Sequence, residues 1–373
     1  MRVLILSCNT GEGHNSCGRA LQRAFQANGI PCDMEDAFGF FSEKGSRFIT
    51  SGFVGVYRHV PKLFSRGYQF AEEHPSVFRE DSPAYRVLTA GARKVMDFIA
   101  DGGYDTVLCT HVFSALILTE GLRREPMSLR TAFVATDYTC SPSCADSRLD
   151  TYFIPAESLK TEYAACGIPE EKLVASGIPL RPEFAVRGDR SAARQALGLP
   201  EDCRHLLVMC GSMGCGPIRE MVDEMAARLP ENCHISVICG TNRQLEEELR
   251  GEYGQHEQIR IHGFVSNISQ MMDSADLYLT KPGGISVTEA SRKGLPMFFV
   301  NAVAGCESHN MRFFMEAGAA ASAETPAQIA KACLELLTDE ERLAEMVRAT
   351  EPFAAQRPEE TVLTWATEAA VGV

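Results

Sequence analysis

The sequence predicts an α/β protein built as two doubly wound lobes facing a central cleft, on three observations. The chain has 373 residues, too many for one open α/β core when a domain averages about 150 residues. Short β-branched runs recur, each followed by a Gly or polar turn and a longer segment of helical spacing, which is the pattern of parallel βαβ units. That pattern halts near residue 180 and restarts near residue 206. A composition of 45% hydrophobic and 23% charged residues is that of a chain able to bury a substantial core.

The first strand is read at Val3 to Ser7, an apolar run too short for a signal-peptide core that leads straight into a Gly-rich turn. Later strands are expected at Thr106 to Thr110, Ala132 to Ala135 and Thr151 to Ile154, completing a first lobe over residues 1–185. Gly177, Pro179, Pro182 and Gly188 break helix and sheet alike, which puts the hinge near 180 to 195. The second lobe, residues 186–355, has expected strands at Leu206 to Cys210, Ile235 to Cys239, Arg260 to His262, Leu277 to Thr280 and Met297 to Val300. A last segment over 356–373 carries Val362, Leu363 and Trp365 at helical spacing and is expected to cap a lobe, with the first as a candidate.

Composition narrows the function classes. No run of roughly 18 apolar residues appears, so any membrane contact is expected to be peripheral and the protein cytoplasmic. The 14 cysteines include no C-x-x-C pair and no His at zinc-like spacing, so most are read as reduced core residues, and Cys140 and Cys144, a close pair in a polar loop, are not read as metal ligands. A formal net charge of -13 argues against nucleic acid as a partner.

Three segments carry chemistry. In the first, Ser7-Cys-Asn-Thr-Gly11-Glu-Gly13-His14, a strand runs through a Gly turn into a helix whose free N–H groups and dipole favour a negative ligand. It lacks the third Gly of a dinucleotide fingerprint and the Lys of a P-loop. His14 stands there either as a near-neutral base or as a cap on the first helical turn. The second, Leu277-Tyr-Leu-Thr280-Lys-Pro282-Gly283-Gly284-Ile-Ser286-Val-Thr288-Glu289, repeats the strand, turn and helix. Its paired glycines let a ligand approach the backbone, and Glu289 suits the two hydroxyls of a ribose, though a carboxylate near a helix start is also favoured by the dipole alone. The third, Met209-Cys-Gly211-Ser212-Met213-Gly214, suits phosphate binding through backbone N–H groups.

In order and spacing these segments resemble glycosyltransferase family 28, in its branch of monogalactosyldiacylglycerol synthases and processive diacylglycerol glucosyltransferases. The resemblance also rests on Thr136-Asp137-Tyr138, Gly177-Ile-Pro-Leu-Arg181-Pro, Gly263-Phe264-Val265-Ser-Asn267 and Gly305 to Asn310, and it runs through nearly the whole chain. It implies a GT-B fold of two Rossmann-like lobes, with the acceptor on the first lobe and a UDP-sugar on the second. It implies inverting transfer of glucose or galactose to diacylglycerol or a related lipid. In that resemblance Glu289 holds the ribose, the backbone at Phe264 and Val265 reads uracil, and Arg181 meets the diphosphate beside Gly211, Ser212, Met213 and Gly214. Pro282, Gly283, Gly284, Ser286, Cys306, Glu307 and Asn310 complete the donor site. Arg and backbone N–H groups stabilise a leaving diphosphate without a metal, and the chain has no Asp-x-Asp pair, so no metal or other cofactor is expected.

On the acceptor side, His14 is the expected base with Asp137 in support, Gly13 lines the same turn, and His111 is the next candidate. The chain departs from its relatives at Cys306, where they carry Gln, and at Ser141 and Cys144, where the glucosyltransferases carry His and Trp. Finally, the insertion from Phe41 to Phe70 sets Lys44, Arg47, Arg58, Lys62 and Arg66 among Phe48, Phe53, Tyr57, Phe64 and Tyr68. Such a segment suits anionic lipid headgroups at the inner face of a cell membrane, or is a helix with a solvated basic face. Transfer to a lipid-linked sugar, UDP-sugar epimerisation and non-catalytic UDP-sugar sensing are the competing functions.

Overall fold

The computed structural model describes residues 1–9, 11–41, 67, 69, 70, 73–80, 82–300 and 305–368. Arg58, Lys62 and Arg66, with nearly all of the basic and aromatic insertion, lie outside the described residues. The chain divides into two compact units, one of Met1–Arg181 with the C-terminal segment from Gln356, the other centred on Pro182–Ala302 and Glu307–Ala355.

The first unit contains six strands, β1 (Val3–Ser7), β2 (Cys32–Asp36), β3 (Thr106–Cys109), β4 (Arg130–Val134), β5 (Thr151–Ile154) and β6 (Leu173–Ala175). They form one parallel sheet in the order β2-β1-β3-β4-β5-β6. β1 and β3 are fully buried, as continuous apolar runs in a sheet covered on both faces must be. The helix Val112–Arg124, which follows β3, is buried from Ser114 to Gly121 without a polar stripe.

The second unit repeats the plan with β7 (Arg204–Met209), β8 (Cys233–Ile238), β9 (Ile259–His262), β10 (Leu277–Thr280), β11 (Met297–Phe299) and β12 (Ala320–Ser322), all parallel, in the order β12-β11-β10-β7-β8-β9. Leu206 and Val208 of β7, Val237 of β8 and Leu277 and Leu279 of β10 form one side of its core. Met221 and Met225 of the helix Ile218–Ala226 and Cys333 and Leu337 of the helix Pro326–Thr338 close over them.

The terminal helix Pro358–Glu368 packs on the first sheet. Trp365 donates its indole N–H to Thr151 Oγ1 at 2.9 Å, meets Phe153 edge to face at 5.5 Å, and carries the Arg130 guanidinium 4.2 Å above its ring. Glu359 accepts the backbone N–H of Leu180 at 2.6 Å. Cys140 and Cys144 are both buried, as are most of the 14 cysteines, all of them free thiols; Cys166 is exposed.

Candidate active site

In the first unit the chemistry gathers at the carboxyl ends of β1, β3 and β4. The helix Glu12–Ala27 begins at Gly11, whose extended backbone offers no side-chain cap, so its first-turn N–H groups are left to other partners. The turn before it is held by a chain of amides. Ser7 Oγ donates to Asn15 Oδ1 at 2.7 Å, Asn15 Nδ2 to Asn9 Oδ1 at 2.8 Å, and Asn9 Nδ2 to Asp36 Oδ2 at 2.8 Å.

His14, two residues into that helix from Glu12, is partly exposed and turns its Nδ1 inward. That nitrogen lies 2.9 Å from the carbonyl oxygen of Thr110, just beyond β3, and 2.8 Å from Oγ1 of Thr136, two residues beyond β4. The His111 ring meets it edge-on at 4.4 Å. His111 is itself buried and caps the helix Val112–Arg124, its Nδ1 accepting the backbone N–H of Phe113 at 3.0 Å. Burial depresses both imidazoles: His14 falls to about 4, only partly offset by its bond to Thr110. His111 falls well below the usual range, first by burial and then by the neighbouring His14. Both rings are therefore neutral at pH 7.

The structure thus brings together His14 and His111, with Gly13 in the same turn, and adds two residues that the sequence left without a role, Thr110 and Thr136. Asp137, expected to support His14, is the residue after Thr136, and the Nδ1 that such a carboxylate would hold is already in contact with the Thr110 carbonyl and the Thr136 hydroxyl. The loop that bears Asp137 is clamped from the helix Lys160–Ala165. Glu162 accepts from Thr139 Oγ1 and from the backbone N–H of Cys140, both at 2.7 Å, and the Tyr163 hydroxyl donates to the Thr139 carbonyl at 2.9 Å.

In the second unit the helix Gly284–Arg292 begins at Gly283, again without a side-chain cap. Its turn is braced by Asn310, fully buried on the helix Cys306–Glu316, whose Nδ2 donates to the Pro282 carbonyl at 3.0 Å. Lys281 and Glu307 pair at 3.2 Å, each with little side-chain exposure. Ser286 Oγ meets the Tyr278 hydroxyl at 2.9 Å. Glu289 lies in this helix and is buried. Lys281 stands inside the motif read from the sequence, yet its ion pair with Glu307 requires a partner 26 residues away in sequence (307 − 281).

The turn after β7 bears Gly211, Ser212, Met213 and Gly214. The carbonyl of Ser212 accepts the N–H of Thr241 at 2.9 Å, and that of Gly214 accepts Asn242 Nδ2 at 3.1 Å, which fastens the turn to the one after β8. Gly214 has φ 55°, and a Cβ there would strike the Cys239 carbonyl, so only glycine serves. Phe264, in the loop after β9, is 74% exposed, an uncommon setting for a Phe, with half-buried Val265 beside it. Arg181 is half-buried at the end of the first unit. Among the described residues no group of three His, Cys, Asp or Glu side chains is arranged to hold a metal ion, and no helix is long and apolar enough to cross a membrane.

Comparison with known proteins bears on both units. Residues 14–180 match the family model of monogalactosyldiacylglycerol (MGDG) synthase, and residues 205–361 match that of the glycosyltransferase family 28 C-terminal domain. The chain is 29% identical to the processive diacylglycerol beta-glucosyltransferase of Staphylococcus saprophyticus over 87% of this chain and 82% of that protein. It is 27% identical to the same-named protein of Staphylococcus carnosus over 96% and 90%. Among solved structures, Acinetobacter baumannii MurG superposes with a TM-score of 0.67 at 14% identity, over 98% of this chain and 99% of that one. MnaA of S. aureus, solved with UDP, gives 0.67 at 14% identity over 100% and 98%. The fold is that of the GT-B glycosyltransferases and the related epimerases.

Proposed function

Because the chain belongs to glycosyltransferase family 28, we propose that it is an inverting enzyme that moves glucose or galactose from a UDP-sugar to the free hydroxyl of diacylglycerol or a related membrane lipid. The observation that carries this reading is the neutral, partly exposed imidazole of His14 in the unit that matches the MGDG synthase model. In the reaction the acceptor oxygen forms a bond to the anomeric carbon, the bond from that carbon to the UDP oxygen breaks, and the hydroxyl proton passes to His14. The departing diphosphate gains charge, which Arg181 and the backbone N–H groups of Gly211 to Gly214 would stabilise more in the transition state than in the bound donor.

Glu289 would hold the ribose hydroxyls, the backbone at Phe264 and Val265 the uracil, and Pro282 to Ser286 with Cys306, Glu307 and Asn310 the sugar and phosphates. The lack of an Asp-x-Asp pair supports a metal-independent reaction. The experiment is to incubate the protein with labelled UDP-glucose or UDP-galactose, with and without diacylglycerol vesicles, in the presence of EDTA. Label is expected in the lipid phase. Release into water alone would overturn the transferase reading in favour of hydrolysis or epimerisation, and full loss in EDTA restored by magnesium would overturn the metal-free one.

The enzyme is expected to work at the inner face of the cell membrane, held there by the insertion that carries Arg58, Lys62 and Arg66. Each cation is worth about 1 kcal/mol near an anionic surface. Neutralising all three should release the protein from anionic vesicles in a pelleting assay while leaving UDP affinity unchanged, and pelleting that ignores both the substitutions and salt would contradict the assignment.

A further inference from the structure

Resting on the reading of His14 as the base, the geometry points to Thr136 as its positioning residue: with the Thr110 carbonyl, the Thr136 hydroxyl holds the imidazole in the tautomer that leaves Nε2 free to take the acceptor's proton. No carboxylate is needed for this in the present arrangement.

The argument is one of donors and acceptors. A carbonyl oxygen only accepts, so the 2.9 Å contact between His14 Nδ1 and Thr110 O requires a hydrogen on Nδ1. Neutral imidazole has one N–H, so Nε2 carries the lone pair. Thr136 Oγ1, 2.8 Å from the same nitrogen, shares that N–H as a second acceptor and directs its own proton elsewhere. Two oxygens, brought by the ends of β3 and β4, thus grip one edge of the ring and fix both its tautomer and its direction. The backbone carbonyl cannot be removed by substitution, whereas the hydroxyl can.

His111 closes the remaining freedom. Its Nδ1 accepts from the Phe113 N–H at 3.0 Å, so its own hydrogen sits on Nε2, the opposite tautomer to that of His14. Its ring lies edge-on against His14 at 4.4 Å, where a charge on either imidazole disfavours one on the other. Among the described residues the titratable ring in contact with His14 is this His111; Asp137 follows Thr136 in the chain, and Glu12 on the same helix is paired with Arg19 at 2.8 Å. A carboxylate on Nδ1 would orient the ring equally well but would raise its pKa. Two uncharged acceptors orient it and oppose the effect of burial only in part, through the Thr110 bond, so the base stays unprotonated down to about pH 4.

The test uses the full chain with 15N-labelled histidine and the variants T136V, T136S and H14A. In the wild type, the His14 nitrogen shifts should show a protonated Nδ1 and an unprotonated Nε2. T136V, nearly isosteric with Thr, leaves the Nδ1 hydrogen on the Thr110 carbonyl but removes its second acceptor, so it should move the His14 nitrogen shifts as the ring loses its fixed direction and lower kcat about tenfold to a hundredfold, the order of loss when the orienting partner of a functional His is removed. The KM for the UDP-sugar should move little, and T136S should restore both signals. A T136V protein with unchanged His14 shifts and unchanged kcat overturns the positioning role, as does a loss that T136S fails to rescue. H14A separates the two readings: if it retains turnover the base assignment falls, whereas a collapse in H14A beside a normal T136V removes only the present inference.

Discussion

The turn after β1 and the turn after β10 use the same backbone device and arm it in opposite ways. Each is a buried strand, a glycine without a side-chain cap, and a helix whose first N–H groups are open. Against His14 in the first stand the uncharged oxygens of Thr110 and Thr136 and the depressed imidazole of His111, while the Asp36 carboxylate is held by Asn9 and Glu12 by Arg19. Around the second stand the Lys281–Glu307 pair and a buried Glu289. The first set arrives from β3 and β4, over separations of about a hundred residues, while the second comes from the motif itself and the helix that follows β11. A shared scaffold therefore says little about chemistry; the neighbouring strand ends decide which side chains surround each turn.

The largest effect expected on this contrast is that of H14A, since a positioned His contributes about 10² to 10⁴ in rate. Turnover with lipid acceptor should collapse while calorimetric UDP affinity survives, and loss of both together would erase the division of labour between the turns. Next comes Glu289→Gln in the second turn. It should weaken UDP by about 1.5 to 3 kcal/mol, the range for hydrogen bonds to a charged group, with kcat at saturation less affected. Undiminished UDP binding would remove Glu289 from the ribose.

A thermodynamic cycle at Lys281 and Glu307 sharpens the comparison further. Lys281→Met alone leaves the Glu307 carboxylate short of its cation and should lower stability by about 1 to 3 kcal/mol, part of which returns when Glu307→Gln is added. Additive losses in urea melts would show that the pair does not interact.

The smallest effect concerns pH. His14 has a folded pKa of about 4 against 6.5 unfolded, so between those values the unfolded chain binds the extra proton. Stability should therefore rise with pH across that window and flatten above it. His111, His205, His234 and His262 are lowered in the same direction by burial. H14A should flatten part of the slope measured by denaturant titration at pH 4.5 and 6.5, and an unchanged slope would mean that His14 titrates normally.

Strand prediction failed in one consistent place. β2, β6 and β12 were not anticipated, and each is an edge of its sheet. Cys32–Asp36 alternates acidic residues, Leu173–Ala175 has three residues, and Ala320–Ser322 is made of poor strand formers. An edge is covered by fewer neighbours and has no need of a continuous apolar run, so periodicity marks it less surely: of the four edges β9 alone is expected from the sequence, at Arg260 to His262. The central strands β1, β3, β5, β7, β8 and β10 are legible within a residue or two because burial on both faces favours β-branched, Leu and aromatic residues in short runs with few polar breaks.

By itself the sequence determined the two-fold repetition of βαβ units, the Gly turns that end their strands, and the presence of His14 and Glu289 in the helices that follow. These features are written in local spacing, where a buried strand and a tight turn restrict which residues can stand. What only the tertiary structure decided is the state of those residues. His14 becomes an oriented, neutral imidazole because Thr110 and Thr136, 96 and 122 residues away, close on its Nδ1. Asn310 becomes a brace because the Pro282 carbonyl, 28 residues earlier, lies beside it. Hydrogen bonds act over about 3 Å whatever the separation along the chain, so a partner joined only by sheet order leaves no periodic trace in the sequence.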